Sequence, residues 1–322
     1  MVYVCAVKHM IMKAIILSEP GSINNLTIRE IPLPEINPGE VLIKVKAIGI
    51  NPVDAKTRSG GGVYKMLSKE TSLILGWDIS GEIAASRSDV FKVGDQVFGM
   101  VNFPGAGKAY AEYVAAPDTH LALKPENISY EEAAAATLAP LTALQVLRNE
   151  AAIKPGDRVL IHAASGGVGH YAIQIAKHLG AYVIGTSSAA NRDFIFSLGA
   201  DEHIDYNSQT LQEASDNVDF VLDSLGVDAI IRSLEVIKKG GKLISIVTQM
   251  TEDIHKKADQ KNISTAFYLV QSNGNDMNTL AGWLKTGVLK SHVSNVLPFE
   301  HMAKAHKQIE SGRTVDKIVV TI

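Results

Sequence analysis

Residues 157–180 read DRVLIHAASGGVGHYAIQIAKHLG: an apolar run, a glycine-rich turn, then an amphipathic helical segment. A strand that passes through such a turn into a helix is the arrangement that holds the pyrophosphate of a dinucleotide. Within the turn 164–169, Gly166 lets the backbone approach the pyrophosphate and Gly169 lets the helix sit close on the strand. The helix start offers unpaired N–H groups to the anion. Ala164 stands in the first glycine position, and Ser165, Gly167 and Val168 complete the loop.

Outward from this loop the chain alternates strand and helix patterns: AYVIGTSS, NRDFIFSLGA, HIDY, VDFVLDSL, DAIIRSLEVIKKGG and KLISIV. Strands joined by helical crossovers form a parallel, doubly wound sheet, so a dinucleotide-binding domain is expected over residues 131–265. Before it, from Met12 to about Pro125, the segments MKAIIL, LTIREI, EVLIKVKAIGI and VGDQVFGM alternate with Pro and Gly and read as a β-rich, barrel-like unit. Ser129, followed by Glu131 and Glu132, opens a helical stretch that Pro140 is expected to break in two. The final DKIVVTI reads as a strand returning to the β-rich unit, which then spans 12–130 and 266–322. Residues 1–11 read as an extension ahead of the fold, and Cys5 within it as an incidental thiol.

The 322 residues, 46% hydrophobic and 20% charged, suffice for a full core and two domains. A net charge of -3 supplies no basic field, so nucleic acid is not an expected partner. No window approaches the roughly 18 apolar residues of a membrane helix. A single cysteine excludes an internal disulfide and any zinc site built from several thiolates. A cytoplasmic location is the default expectation.

The second strand of the parallel domain ends VIGTSSAANR, with no acid before Asp193. Sites that prefer NAD place an acid near there to hold the ribose 2′-OH. Here Ser187, Ser188, Asn191 and Arg192 offer hydrogen bonds and a positive charge to a 2′-phosphate, so NADPH is the expected cofactor. Ser187 and Ser188 also suit a helix N-cap and Arg192 a solvated helix face, roles that coexist with cofactor contact.

With the loop placed, the chain resembles the medium-chain dehydrogenase/reductase superfamily, in its zinc-independent quinone oxidoreductase branch, from about Met12 to Ile322. The motifs that carry the resemblance run in order: GINPVD at 49–54, LGWDISGEI at 75–83, YAEYV at 110–114, LTAL at 141–144, AASGGVG at 163–169, SLGADEHIDY at 197–206 and VLDSLG at 221–226. It implies a GroES-like β-rich barrel beside a Rossmann domain, with the cofactor in the cleft between them, and a homodimer. Zinc-dependent members carry a cysteine in the first segment and Gly-His-Glu where this chain has Gly76-Trp77-Asp78, and the four-cysteine lobe is missing, so no metal is expected. Without a Lewis acid, hydride transfer to a quinone or conjugated carbonyl becomes the expected chemistry.

The resemblance also implies site residues. Asn51 would face the nicotinamide, with Asp54 where zinc relatives keep their metal surroundings. Tyr64, after a glycine run, would be a proton donor, as in enoyl-thioester reductases, and a phenol is protonated at neutral pH. Thr142 would sit beside the nicotinamide and Tyr206 near the adenosine phosphate. Leu225 and Gly226 would border the cleft, Val247 and Thr248 would bind the carboxamide, and Lys317 would reach the cofactor phosphate. Asn51 and Asp54 equally suit a turn cap, Tyr64 a surface loop and Lys317 a solvated surface. Two other readings stay open: an enoyl or alkenal double-bond reductase, and an NADPH-binding regulatory protein without efficient turnover.

Overall fold

The structure is a computed structural model that describes residues 10–68, 70 and 73–322. Cys5 and most of the expected extension lie outside the described residues. Its last two residues do not: Ile11 opens the strand Ile11–Leu17 opposite Pro32, and the Met10 carbonyl accepts from Leu33 N–H. The chain divides into two units, one reaching to Leu141 and resuming at Gln271–Ile322, the other Thr142–Val270.

In the first unit the strand Glu40–Ile50 is the organiser. It pairs antiparallel with Asp78–Ser86, with Tyr113–Pro117 and with the C-terminal strand Lys317–Thr321 in a seven-stranded sheet. Its burial is nearly continuous, because both of its faces are covered. A smaller sheet joins Leu26–Pro32, Ile11–Leu17 and Leu73–Ile74.

The helix Tyr130–Ala135 starts at the Ser129 cap with Glu132 closing a capping box, and it belongs with these strands rather than with residues after 141. Small side chains make that possible. Ala134 and Ala135 pack on Ala47 and Val319, and a Cβ on Gly49 would stand 2.5 Å from the Ala134 carbonyl oxygen. The chain does break into two helices here, but at Ala136–Thr137 instead of at Pro140. Pro140 lies in the first turn of Leu138–Leu144, where a missing N–H costs no helical bond.

The second unit is a six-stranded, wholly parallel sheet. Numbered from Arg158–Ile161 as its first strand, the order is 3-2-1-4-5-6, that of the Rossmann sheet. Leu160, Ile184, Val221 and Leu243 fill one layer against Ile230 and Ile254 from the crossover helices. Two expectations shift. The helix in DAIIRSLEVIKKGG stops at Ser233, and the next strand already runs from Ile237 to Ser245, entering through a register shift against Val218–Asp223. The sixth strand, Ser264–Phe267, extends the sheet past residue 265. Among the described residues no helix is long and apolar enough to cross a membrane.

Candidate functional site

In the first unit Asn51 follows the central strand and caps the helix Pro52–Arg58. Its N–H donates to Asp54 Oδ2 at 2.6 Å, while its side chain turns to other partners: Nδ2 donates to Asp78 Oδ2 at 2.8 Å, and Oδ1 accepts from Lys317 Nζ. An ammonium only donates and an ionised carboxylate only accepts, so these two neighbours fix which end of the amide is which. One Nδ2 hydrogen is left for another acceptor.

Lys317 is 2% exposed and also donates to the Ile50 carbonyl at 3.2 Å, with Asp78 at 3.7 Å. It is therefore no surface phosphate ligand. The C-terminal strand lays its ammonium beneath Asn51 by pairing Ile318 with Ile50. Burial lowers its pKa and raises that of Asp78, and the mutual attraction of the two opposes both shifts.

Asp54 is fully buried, and burial is the main cause that pushes its pKa up to about 8. The Asn51 N–H pulls the other way, while its Oδ1 has no hydrogen-bond partner. Tyr110 stands close to it, but the phenol's hydrogen bond is to His306 Nε2 at 2.9 Å. Burial, together with the charge of Arg58, pushes His306 down to about 4, so this imidazole is neutral. Arg58 itself is tied to Glu310 and the Gly21 carbonyl.

Trp77, where zinc relatives hold histidine, is fully buried and donates from Nε1 to Gly105 O at 2.6 Å. Among the described residues no group of three or more His, Cys, Asp or Glu side chains is arranged to hold a metal. Tyr64 begins a short helix, Tyr64–Leu67, and among the described residues its hydroxyl makes no hydrogen bond to the Asn51 cluster.

In the second unit the loop 164–168 joins the first strand to the helix Gly169–His178, whose Val168 cap makes no side-chain hydrogen bond to the first turn. Within that turn His170 N–H donates to the Gly166 carbonyl at 3.1 Å and Ala172 N–H to Val168 O at 2.9 Å. A Cβ on Gly169 would stand 2.3 Å from Ala163 O, so only glycine lets the helix start this close to the strand. Beneath the loop, Ser233 Oγ donates to Ala229 O and so accepts from His162 Nε2, at 2.8 Å; burial keeps that imidazole neutral, with a pKa of about 4.

The carboxyl edge of the sheet gathers most of the other predicted residues. Ser187 is the last residue of Tyr182–Ser187, and Ser188 caps the short 3-10 turn Ala189–Asn191 without a side-chain capping bond. Asn191 Nδ2 donates to Ser165 Oγ at 3.1 Å and so ties this turn to the glycine loop. Arg192 opens the next helix with its guanidinium over Phe196. Tyr206, 62% exposed, comes after the strand Glu202–Asp205, and its N–H donates to Ser187 O.

Leu225 and Gly226 form the turn after Val218–Asp223. Val247 and Thr248 lie in the turn after Ile237–Ser245, because that strand ends at Ser245 rather than at Val247. Thr142 is buried on the helix Leu138–Leu144.

Sequence reading missed the pair that holds two of these turns. Asp223 accepts from the N–H groups of Leu225 and Gly226 and from Ser245 Oγ at 2.7 Å, and Ser245 Oγ accepts in turn from Val247 and Thr248 N–H. Two loops are thus pinned to one carboxylate–hydroxyl pair. An acid closing an apolar strand and leading into Ser-Leu-Gly was the available signal. Its partner 22 residues on had none.

Residues 37–126 match the GroES-like domain of alcohol dehydrogenases and residues 198–320 the zinc-binding dehydrogenase family. An NADPH-dependent alkenal/one oxidoreductase of Arabidopsis thaliana chloroplasts is 33% identical over 96% of this chain and 79% of its own length. The quinone oxidoreductase of Sus scrofa is 32% identical over 88% of each chain. The solved quinone oxidoreductase of Coxiella burnetii superposes with a TM-score of 0.91 at 37% identity, covering 97% of this chain and all of its own.

Proposed function

The chain belongs to the medium-chain dehydrogenase/reductase superfamily, and from that membership we propose that it is an NADPH-dependent reductase delivering hydride to a quinone or an α,β-unsaturated carbonyl. The observation that carries the cofactor choice is the end of the strand Tyr182–Ser187. Hydroxyls, an amide and a guanidinium gather there, where an NAD site would place a carboxylate.

The donor set fits a dinucleotide phosphate: the glycine-loop backbone ahead of the helix, then Ser165, Ser188, Asn191 and Arg192. Bound there, a reduced nicotinamide supplies a hydride. The protein's part is to orient the cofactor and to meet the charge that develops on the acceptor oxygen. Asn51 suits the second task, because Lys317 and Asp78 hold its amide rigid and leave one N–H to donate. Tyr64, Thr142, Tyr206, Leu225, Gly226, Val247 and Thr248 keep the roles the resemblance gives them; Lys317 instead becomes a support of Asn51. The reading also includes a homodimer, for which the sixth strand Ser264–Phe267 offers a sheet edge.

An alkenal or enoyl reductase is the second reading. The Arabidopsis relative's name favours it, and so does Tyr64, whose hydroxyl is uncommitted among the described residues. Oxidation of NADPH and NADH by the purified protein, with a small p-quinone and a simple enal as parallel acceptors, tests both. NADPH is expected to have a KM at least about tenfold lower than NADH, the size of one charge-assisted contact. A faster enal reaction that Tyr64→Phe abolishes would select the second reading. Equal use of NADH would sink the cofactor assignment, and no turnover with either acceptor would sink the enzyme.

A further inference from the structure

We infer that His203 is a proton-taking element of the 2′-phosphate subsite: held by Ser187 and working beside Arg192, it receives a phosphomonoester, and it becomes charged when the dianion binds. This rests on the dinucleotide reading above and adds a residue and a linkage to it. His203 stands on the strand Glu202–Asp205, which pairs in parallel with Tyr182–Ser187. Its Nε2 lies 2.9 Å from Ser187 Oγ.

With the Ser187 hydroxyl turned to Ser188 O at 3.0 Å, its oxygen accepts from the Nε2–H tautomer of His203. A neutral imidazole carries a single N–H, which leaves Nδ1 as the basic nitrogen. The ring also packs edge-on against Phe196, with centroids 6.4 Å apart, and the face of Phe196 carries the Arg192 guanidinium. Imidazole, phenyl and guanidinium form a continuous patch at the strand end where the 2′ substituent of a dinucleotide belongs.

The charged groups acting on His203 are Arg192 from the adjoining helix and Asp205 from its own strand; Ser187, Ser188 and Phe196 carry no charge. Partial burial lowers the imidazole's pKa, Asp205 raises it, Arg192 lowers it and the Ser188 backbone raises it, with a net fall below the ordinary histidine value. The free site therefore holds a neutral His203 at pH 7. Among the described residues Asp205 is the acid that acts on the ring, and its oxygens are occupied by Asn207 and Ser208.

A phosphate dianion beside the ring favours the imidazolium, so Nδ1 takes a proton from solvent as the ligand arrives. A bare ribose hydroxyl would not cause this. Discrimination between NADP and NAD then gains a component that fades as pH rises and the proton becomes harder to acquire.

The test is calorimetric titration of wild type and His203→Gln with NADP+ and with NAD+, at pH 7 in two buffers of different ionisation enthalpy. NADP+ binding to wild type should take up more protons than binding to the variant, by up to about half a proton. NAD+ should show no such difference. The variant should lose roughly three- to tenfold in NADP+ affinity at pH 6 and little at pH 8.5, the phosphate's own titration being common to both proteins.

Equal proton uptake by two proteins that both bind NADP+ overturns the inference and leaves the dinucleotide reading standing. Failure of wild type to bind either dinucleotide overturns both. The His203 Cε1–H resonance of wild type, tracked against pH with and without NADP+, gives the same answer without a substitution. A pKa unmoved by NADP+ would refute the proposal.

Discussion

Asn51, Asp78 and Lys317 direct their hydrogen-bonding capacity at one another inside the β-rich unit, whereas the carboxyl edge of the parallel sheet presents its groups outward. Around the glycine loop, Tyr206, Leu225 and Val247 are exposed. The first arrangement costs desolvation and returns rigidity at one amide. The second leaves side chains at the surface, where the proposed dinucleotide would meet them. Where polar groups are mutually satisfied a substitution should appear first as stability; where they are held open it should appear first as affinity.

The largest effect should come from Lys317→Met, which leaves Asp78 a buried carboxylate with no cation beside it. A loss of about 3–5 kcal/mol in urea unfolding is expected, the usual cost of breaking a buried pair from one side. A loss below about 1 kcal/mol, the range of an exposed pair, would mean that the pair is not charged in the fold and would break the contrast between the two regions.

Next in size is the pH dependence set by Asp54. Its folded pKa, about 8, lies above the ordinary 3.8. The stability it contributes is therefore fully present below pH 3.8 and is lost as pH rises through about 8. Asp54→Asn keeps an acceptor for the Asn51 N–H and cannot ionise. Relative to wild type it should gain about 1.4 kcal/mol per pH unit, hence about 3 kcal/mol between pH 5 and 7 and about 4 kcal/mol by pH 9, where it has levelled off. Unfolding at pH 5, 7 and 9 checks this, and a difference that does not vary with pH would show that Asp54 is already ionised.

Ser245→Ala should have the smallest effect on folding, about 1 kcal/mol, because it removes one buried hydroxyl while Asp223 keeps its two backbone donors. Dinucleotide affinity should fall several-fold, since the turn through Val247 and Thr248 loses its anchor. Titration calorimetry beside thermal unfolding separates the two quantities. An affinity loss no larger than the stability loss would place this pair with the structural network of the other unit.

The glycine loop, the alternating strands and the Ser129 cap were legible because each is written in consecutive residues with the period of its own element. Boundaries were less so. Pro140 looked like the break between two helices, yet a proline is tolerated in a first turn, and the Ala136–Thr137 break carries no mark in the chain. The segment 131–141 looked continuous with the parallel unit after it, and only the close fit of Ala134 over Gly49 assigns it to the strands before it.

Among the candidate site residues, an absent acid points to Ser187, Ser188, Asn191 and Arg192, whereas nothing in the sequence singles out His203. Its partner Ser187 is 16 positions away on a neighbouring strand.

By itself the sequence determined the parallel α/β unit, its glycine loop and a β-rich companion, since propensity, periodicity and glycine placement act over a few residues. Tertiary structure alone decided that Lys317 supports Asn51, 266 positions earlier, instead of reaching for a phosphate. That contact depends on the antiparallel register of the last strand against Glu40–Ile50. Register is set by which whole faces are buried together, a property no local stretch of chain contains.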